Sequence, residues 1–157
     1  MEMKRETERL CMLLVDEMQL KTRVEFDNAL RRVVGYVSPE TLPDESAPEA
    51  DKELATHAMV YMLRGLTSSW KQSIAYLFTG KSLKREPFWM FTKQVIEESE
   101  AAGFKIQGVV SDMGSTNTGL WNLVGIESNR TKISPSITHP CCNDRALYFI
   151  ADPLDVA

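Results

Sequence analysis

Histidine and cysteine are scarce in this chain, with two and three residues among 157. Cys11, Cys141 and Cys142 make neither an even disulfide set nor a C-x₂-C pattern, so a disulfide framework and a closed zinc site are not expected. The cysteine usage suits a reducing compartment, cytosol or nucleus. His139-Pro140-Cys141-Cys142 offers too few ligands for the four that a structural zinc needs, and His57 has no carboxylate at a recognisable spacing. Both histidines are expected to be structural or exposed. No run of about 18 apolar residues occurs, so no membrane-spanning helix is expected. The N-terminus, Met1-Glu2-Met3-Lys4-Arg5-Glu6, mixes charges and lacks the apolar core of a secretion signal. No Ser-His-Asp or Cys-His spacing points to a nucleophilic enzyme, and there are no repeats or low-complexity tracts.

What is present fits one α/β domain: 43% apolar and 25% charged residues, ordinary values for a globular chain of this length. The formal charge of −4 is unevenly spread. Glu40, Asp44, Glu45, Glu49, Asp51 and Glu53 against Lys52 give that stretch a net −5, leaving the remainder at about +1. A nucleic-acid partner is therefore not ruled out by charge. The basic pairs Lys4/Arg5, Arg31/Arg32 and Lys84/Arg85 read first as solvated faces.

Residues 10–18 are almost continuously apolar and read as a buried strand. Val24, Phe26, Val33, Val34, Tyr36 and Val37 suggest a short hairpin, and Pro39, Pro43 and Pro48 place a loop over 38–53. Strands are expected around 59–63 and 70–79, the second ended by Gly80. A helix over 86–102 has Pro87 in its first turn, a stripe of Phe88, Phe91, Val95 and Ala102, and Gly103 as its stop. A strand over 104–111, a short helix capped by Ser115 or Thr116, an irregular stretch over 125–145 and a last strand over 146–151 complete the chain. Three antiparallel strands followed by βα units is the order of a ribonuclease-H-like mixed sheet.

Two acids follow apolar strand-like runs in this scheme. Asp16 follows Cys11-Met12-Leu13-Leu14-Val15, and Asp112 follows Ile106-Gln107-Gly108-Val109-Val110-Ser111. In a ribonuclease-H-like sheet those strands are neighbours, which sets the two carboxylates side by side. Like charges so placed repel unless a cation lies between them. Paired carboxylates holding Mg²⁺ or Mn²⁺, with metals about 3.5–4 Å apart in two-metal sites, carry out phosphoryl transfer on polynucleotides. The bland reading is that Asp favours strand ends and helix caps because it bonds nearby backbone N–H groups. Glu17 points away from Asp16 by strand alternation and suits a salt bridge or polar layer better than a ligand role. Asn117 suits helix capping, or the orientation of a nearby ligand or DNA phosphate. The run from Asp112 to Gly119 also admits an actin-like or sugar-kinase phosphate loop, although such loops follow a hairpin near a domain's start.

The blocks Leu14-Val15-Asp16-Glu17-Met18, Trp70-Lys71-Gln72-Ser73-Ile74-Ala75-Tyr76, Val110-Ser111-Asp112 with Asn117, and His139-Pro140 followed by Tyr148-Phe149-Ile150-Ala151-Asp152-Pro153 resemble the P-element transposases and their THAP-domain relatives. The resemblance covers residues 10–153. It implies a ribonuclease-H-like catalytic core in which Asp16 and Asp112 match the first two of three metal-binding acids, with DNA as partner and the nucleus as location. Three parts follow from it: an extension over 1–9, the partial core over 10–153 and a divergent tail over 154–157. The family's third acid, a glutamate, lies beyond a GTP-binding insertion that the resemblance would place after the present sequence. Ser73 stands where a proline is common in the family. The expected function is thus a transposase catalytic-core fragment, metal-dependent in the intact protein and inactive or weak alone. The alternative is a non-catalytic remnant acting through protein or DNA contacts. The last strand, with Tyr148, Phe149 and Ile150, is expected to leave one apolar face uncovered and to promote self-association.

Overall fold

The computed structural model describes residues 6–29, 31–38, 53–81 and 83–152. The expected loop over 38–53 falls almost wholly outside them. A 3₁₀ turn, Glu6–Arg9, leads into β1 (Leu10–Gln19), and a small hairpin follows, β2 (Glu25–Asp27) with β3 (Arg32–Val34). Next come β4 (His57–Gly65), β5 (Lys71–Thr79), α1 (Arg85–Ala101), β6 (Lys105–Ser111) and α2 (Ser115–Val124). Then follow β7 (Glu127–Ser128), β8 (Ile133–Ser134), β9 (Ser136–His139) and β10 (Cys142–Ala151).

Six strands form the main sheet in the order β5-β4-β1-β6-β10-β9. The β5-β4-β1 half is antiparallel, whereas β1, β6 and β10 run parallel. The strand carrying Asp16 is therefore central and borders the strand that ends just before Asp112. Because β5 is antiparallel to β4 and β4 to β1, strands β5, β1, β6 and β10 all point the same way. Right-handed crossovers β5-α1-β6 and β6-α2-β10 then put both helices on one face, where they contact each other.

The strand pattern explains that choice of face. Cys11, Leu13 and Val15 alternate inward on β1, and Met59, Tyr61, Leu63, Leu77, Ile106, Val109, Leu147 and Phe149 join them under the helices. Helix α1 answers with Phe88, Thr92, Val95, Ile96 and Ser99. Each large apolar side chain buried here contributes about 1.5–3 kcal/mol. The polar members are satisfied internally: Thr92 Oγ1 lies 3.0 Å from the Tyr61 hydroxyl and donates to the Phe88 carbonyl at 2.8 Å. Burial raises the Tyr61 phenol well above its ordinary value and pushes the Cys11 thiol up to about 11, leaving both groups protonated. Gly108 is required by close approach, since a Cβ there would lie 2.7 Å from both Met12 Cε and the Tyr148 carbonyl oxygen.

The opposite face carries no helix among the described residues. Met18, Tyr76, Tyr148 and Ile150 are about half exposed there. The expected uncovered apolar face is thus present, although β10 is not the sheet edge; the short β9 is.

Several local expectations are corrected. The stretch over 125–145 is not irregular: it holds the β7–β8 hairpin and β9, and β10 begins at Cys142 rather than at 146. Those strands are two to four residues long, too short for an alternation pattern to emerge. Ala102 lies outside the buried stripe of α1, as its exposed C-cap. Gly103 does serve as the stop, at φ +97°, donating its N–H to the Glu100 carbonyl at 2.9 Å.

Candidate functional site

Register decides where the two acids stand. Strand β1 pairs with β6 up to Val15↔Ser111, and β6 pairs with β10 up to Ala151↔Ser111. One residue further along these three neighbouring strands are Asp16, Asp112 and Asp152. Strands in a sheet lie about 4.7–4.9 Å apart, so Asp16 and Asp112 flank each other on one rim. Asp16 is not the end of its strand, however. β1 continues to Gln19 because Asp16 still pairs with Val60 on β4, and Gln19 with His57.

The Asp16 side chain is exposed and makes no hydrogen bond or ion pair among the described residues. Asp112 is half-buried and held. Its Oδ1 accepts from the Gly114 N–H at 2.9 Å and from the Asn117 side-chain amide at 2.6 Å. These bonds fix the turn from β6 into α2 and leave Oδ2 without a protein donor among the described residues. Helix α2 is not capped by Ser115 or Thr116: Gly114 is the N-cap, with no side-chain cap bond, and Ser115 is the first helical residue. Asn117 does not cap the helix either. It sits 2% exposed in the first turn and orients Asp112. Its own Oδ1 and the Ser111 hydroxyl are buried without a hydrogen-bond partner, so two unsatisfied polar atoms border Asp112.

Glu17 lies on the opposite side from Asp16, as alternation requires, in register with the buried Met59. It is exposed and makes no ion pair among the described residues, so the expected salt bridge is absent. Asp152 is the residue the strand reasoning passed over. Its N–H bonds the Ser111 carbonyl at 2.9 Å, extending the β6–β10 ladder by one step and fixing it on the same rim. The apolar run over 146–151 signals that acid as plainly as the runs before Asp16 and Asp112. Even so, no group of three His, Cys, Asp or Glu side chains among the described residues is close enough to hold a metal ion.

The histidines belong elsewhere. His57 Nδ1 lies 2.9 Å from the Thr56 hydroxyl at the start of β4. His139 is fully buried at the far end of the parallel strands, with Nδ1 accepting the Cys141 N–H at 3.1 Å. Nε2 then carries the proton, 3.2 Å from the Ile106 carbonyl. Burial, with the nearby Arg145 charge, lowers the pKa of His139. Beside it Glu100 takes Arg145 at 2.7 Å and the Ile106 N–H at 2.8 Å, and Lys105 stands at 3.5 Å. Burial alone would raise the Glu100 pKa, but the Arg145 and Ile106 hydrogen bonds bring it below the usual value. This is a structural cluster joining α1, β6 and β10, not a second site.

Residues 1–125 match the model of the family described as TNP-like, RNase H N-terminal domain. The chain belongs to that family. It is similar to the Transposable element P transposase of Drosophila melanogaster, at 23% identity over 147 residues, covering 94% of this chain and 16% of the relative. The chain thus spans about a sixth of that protein's length. The fold matches a chain of the Drosophila P element transposase strand transfer complex with a TM-score of 0.67 and 22% identity, over 94% of this chain and 27% of the other. The fold is that of a ribonuclease-H-like P-element transposase domain. The actin-like or sugar-kinase reading of the Asp112 loop gains nothing from these likenesses.

Proposed function

We propose that this domain supplies part of the catalytic core of a P-element-type DNA transposase, with Asp16 and Asp112 as ligands for Mg²⁺ or Mn²⁺ and DNA as its partner. The register at Val15↔Ser111 carries the reading, because it sets two carboxylates on adjacent strands at one rim. The residues fit a hard dication: Asp16 is open to solvent, Asp112 is pre-oriented by Gly114 and Asn117, and the buried Asn117 Oδ1 lacks a donor. A bound dication supplies Lewis-acid activation of an attacking water or 3′-hydroxyl and stabilises charge at the phosphodiester. The chain's own part is to hold the carboxylates in place on rigid strands. The nucleus follows as the location of a protein acting on chromosomal DNA.

One observation favours a second reading. Two carboxylates neutralise two dications poorly, and no three-ligand group is assembled among the described residues. On that reading the chain is a transposase-derived remnant working through DNA or protein contacts. A nicking assay on supercoiled DNA with Mn²⁺ separates the two. Cleavage that disappears in Asp16→Asn supports the catalytic reading; DNA binding without Asp16-dependent cleavage supports the remnant.

A further inference from the structure

Arg85 and Gly119 meet beside this rim. Arg85 is the first residue of α1 and Gly119 lies in the second turn of α2. A Cβ on Gly119 would sit 2.8 Å from Arg85 Nε, 3.4 Å from Cδ and 3.5 Å from Cγ. The arginine therefore runs flat across α2 at a position that has no side chain, with its guanidinium held against the helix surface. Gly119 is itself buried, whereas Arg85 is exposed. Among the described residues Arg85 makes no ion pair, and neither do the side chains of its neighbours Lys81 and Lys84.

The topology fixes which end of the domain this is. Both α1 and α2 begin where strands of the common direction end, so Arg85 opens its helix at the rim that bears Asp16 and Asp112. Gly119 is two residues beyond Asn117, the residue that holds Asp112. From Ser115 to Gly119 the rise along the helix is about 6 Å. A guanidinium with no ion pair among the described residues thus stands at the same end of the domain as the two carboxylates. It lies on the face that carries the helices, whereas Asp16 alternates with Val15 towards the helix-free face. Without metal those acids repel a phosphate, while an arginine one helical turn along can take a neighbouring phosphate bidentately.

We propose that Arg85, laid across Gly119, contacts a phosphate of the DNA strand whose reacting phosphodiester lies at Asp16 and Asp112, with Lys84 adding charge beside it. Gly119 is a positioning residue: its missing side chain is what lets the arginine lie down. The assignment rests on the nucleic-acid reading above, but its test does not need the metal.

The experiment is fluorescence anisotropy of the full chain with a labelled DNA duplex in EDTA, over a series of salt concentrations. Arg85→Ala should weaken binding about fivefold and reduce the slope of log K against log salt by about 1, the loss of one phosphate contact. Gly119→Ala, which favours the helix but displaces the arginine, should weaken binding in the same direction. Lys93→Ala, which removes a lysine paired with Glu97 farther along α1, should change neither quantity. Melting curves confirm that each variant is folded. Wild-type affinity and slope in both Arg85→Ala and Gly119→Ala would overturn the proposal, as would absence of DNA binding by the wild type. Failure of the carboxylate assignment shows separately, as Mn²⁺ binding indifferent to Asp16 and Asp112.

Discussion

Asn117 donates its side-chain amide to Asp112 Oδ1 at 2.6 Å, from inside the first turn of the helix that Asp112 precedes. One bond therefore ties the end of β6 to the start of α2 and aims a carboxylate outward. Removing it leaves Asp112 with the Gly114 N–H as its remaining donor. Asn117→Ala should lower stability by about 1–2 kcal/mol, the cost of a lost hydrogen bond to a charged group. It should also weaken Mn²⁺ binding about tenfold or more, as loss of a ligand's supporting partner does. Melting and calorimetry on the same sample check both, and Mn²⁺ affinity equal to wild type would remove Asn117 from the site.

Acid should destabilise the domain through the Glu100–His139–Arg145 cluster. Both His139 and Glu100 have folded pKa values below their ordinary ones, so the unfolded chain binds their protons more readily. Their contribution is complete above the unfolded values. It is lost as pH falls, first below about 6.5 for His139 and then below about 4.5 for Glu100. Melting temperature should hold steady from about pH 8 to 7 and decline below, and His139→Gln should flatten the upper part of that decline. Glu100→Gln leaves Arg145 unpaired and should cost about 3 kcal/mol at neutral pH. A wild-type melting temperature that rises between about pH 7 and 5 would contradict the sign.

The helix-free face should make the isolated domain associate. Met18, Tyr76, Tyr148 and Ile150 lie half exposed on one side of a single sheet, next to the partly buried Leu14, Met62 and Val110. Contiguous apolar surface of this kind is an interaction site. Sedimentation at tens of micromolar (an order-of-magnitude range for such species) should show dimers or larger species, and Tyr76→Lys with Ile150→Lys should shift them towards monomer. A wild type that sediments as a monomer throughout would count against the prediction.

How much of this was legible in the sequence depends on element length. β1, β4, β5, β6 and α1 are seven to seventeen residues long and carry clear apolar patterns, so their order and the ribonuclease-H-like scheme were readable. The adjacency of Asp16 and Asp112 followed from that scheme. The strands β7 to β9 were not readable, because they are two to four residues long and pair through local turns rather than by an alternation pattern. The role of Asn117 was also hidden. Its residue type signals a cap, and only the bond from the first turn of α2 shows that the side chain turns back to Asp112. Arg85 read as a solvated charge until Gly119 was placed beneath it.

In the proposed function Asp16 and Asp112 act together as one cation site, and calorimetric titration with Mn²⁺ tests that most directly. Wild type should bind Mn²⁺ weakly but measurably, as suits two carboxylates with no assembled third ligand. Asp16→Asn and Asp112→Asn should each abolish the signal, and the double variant should do no more than either alone. Equal Mn²⁺ binding by wild type and Asp112→Asn would contradict the assignment.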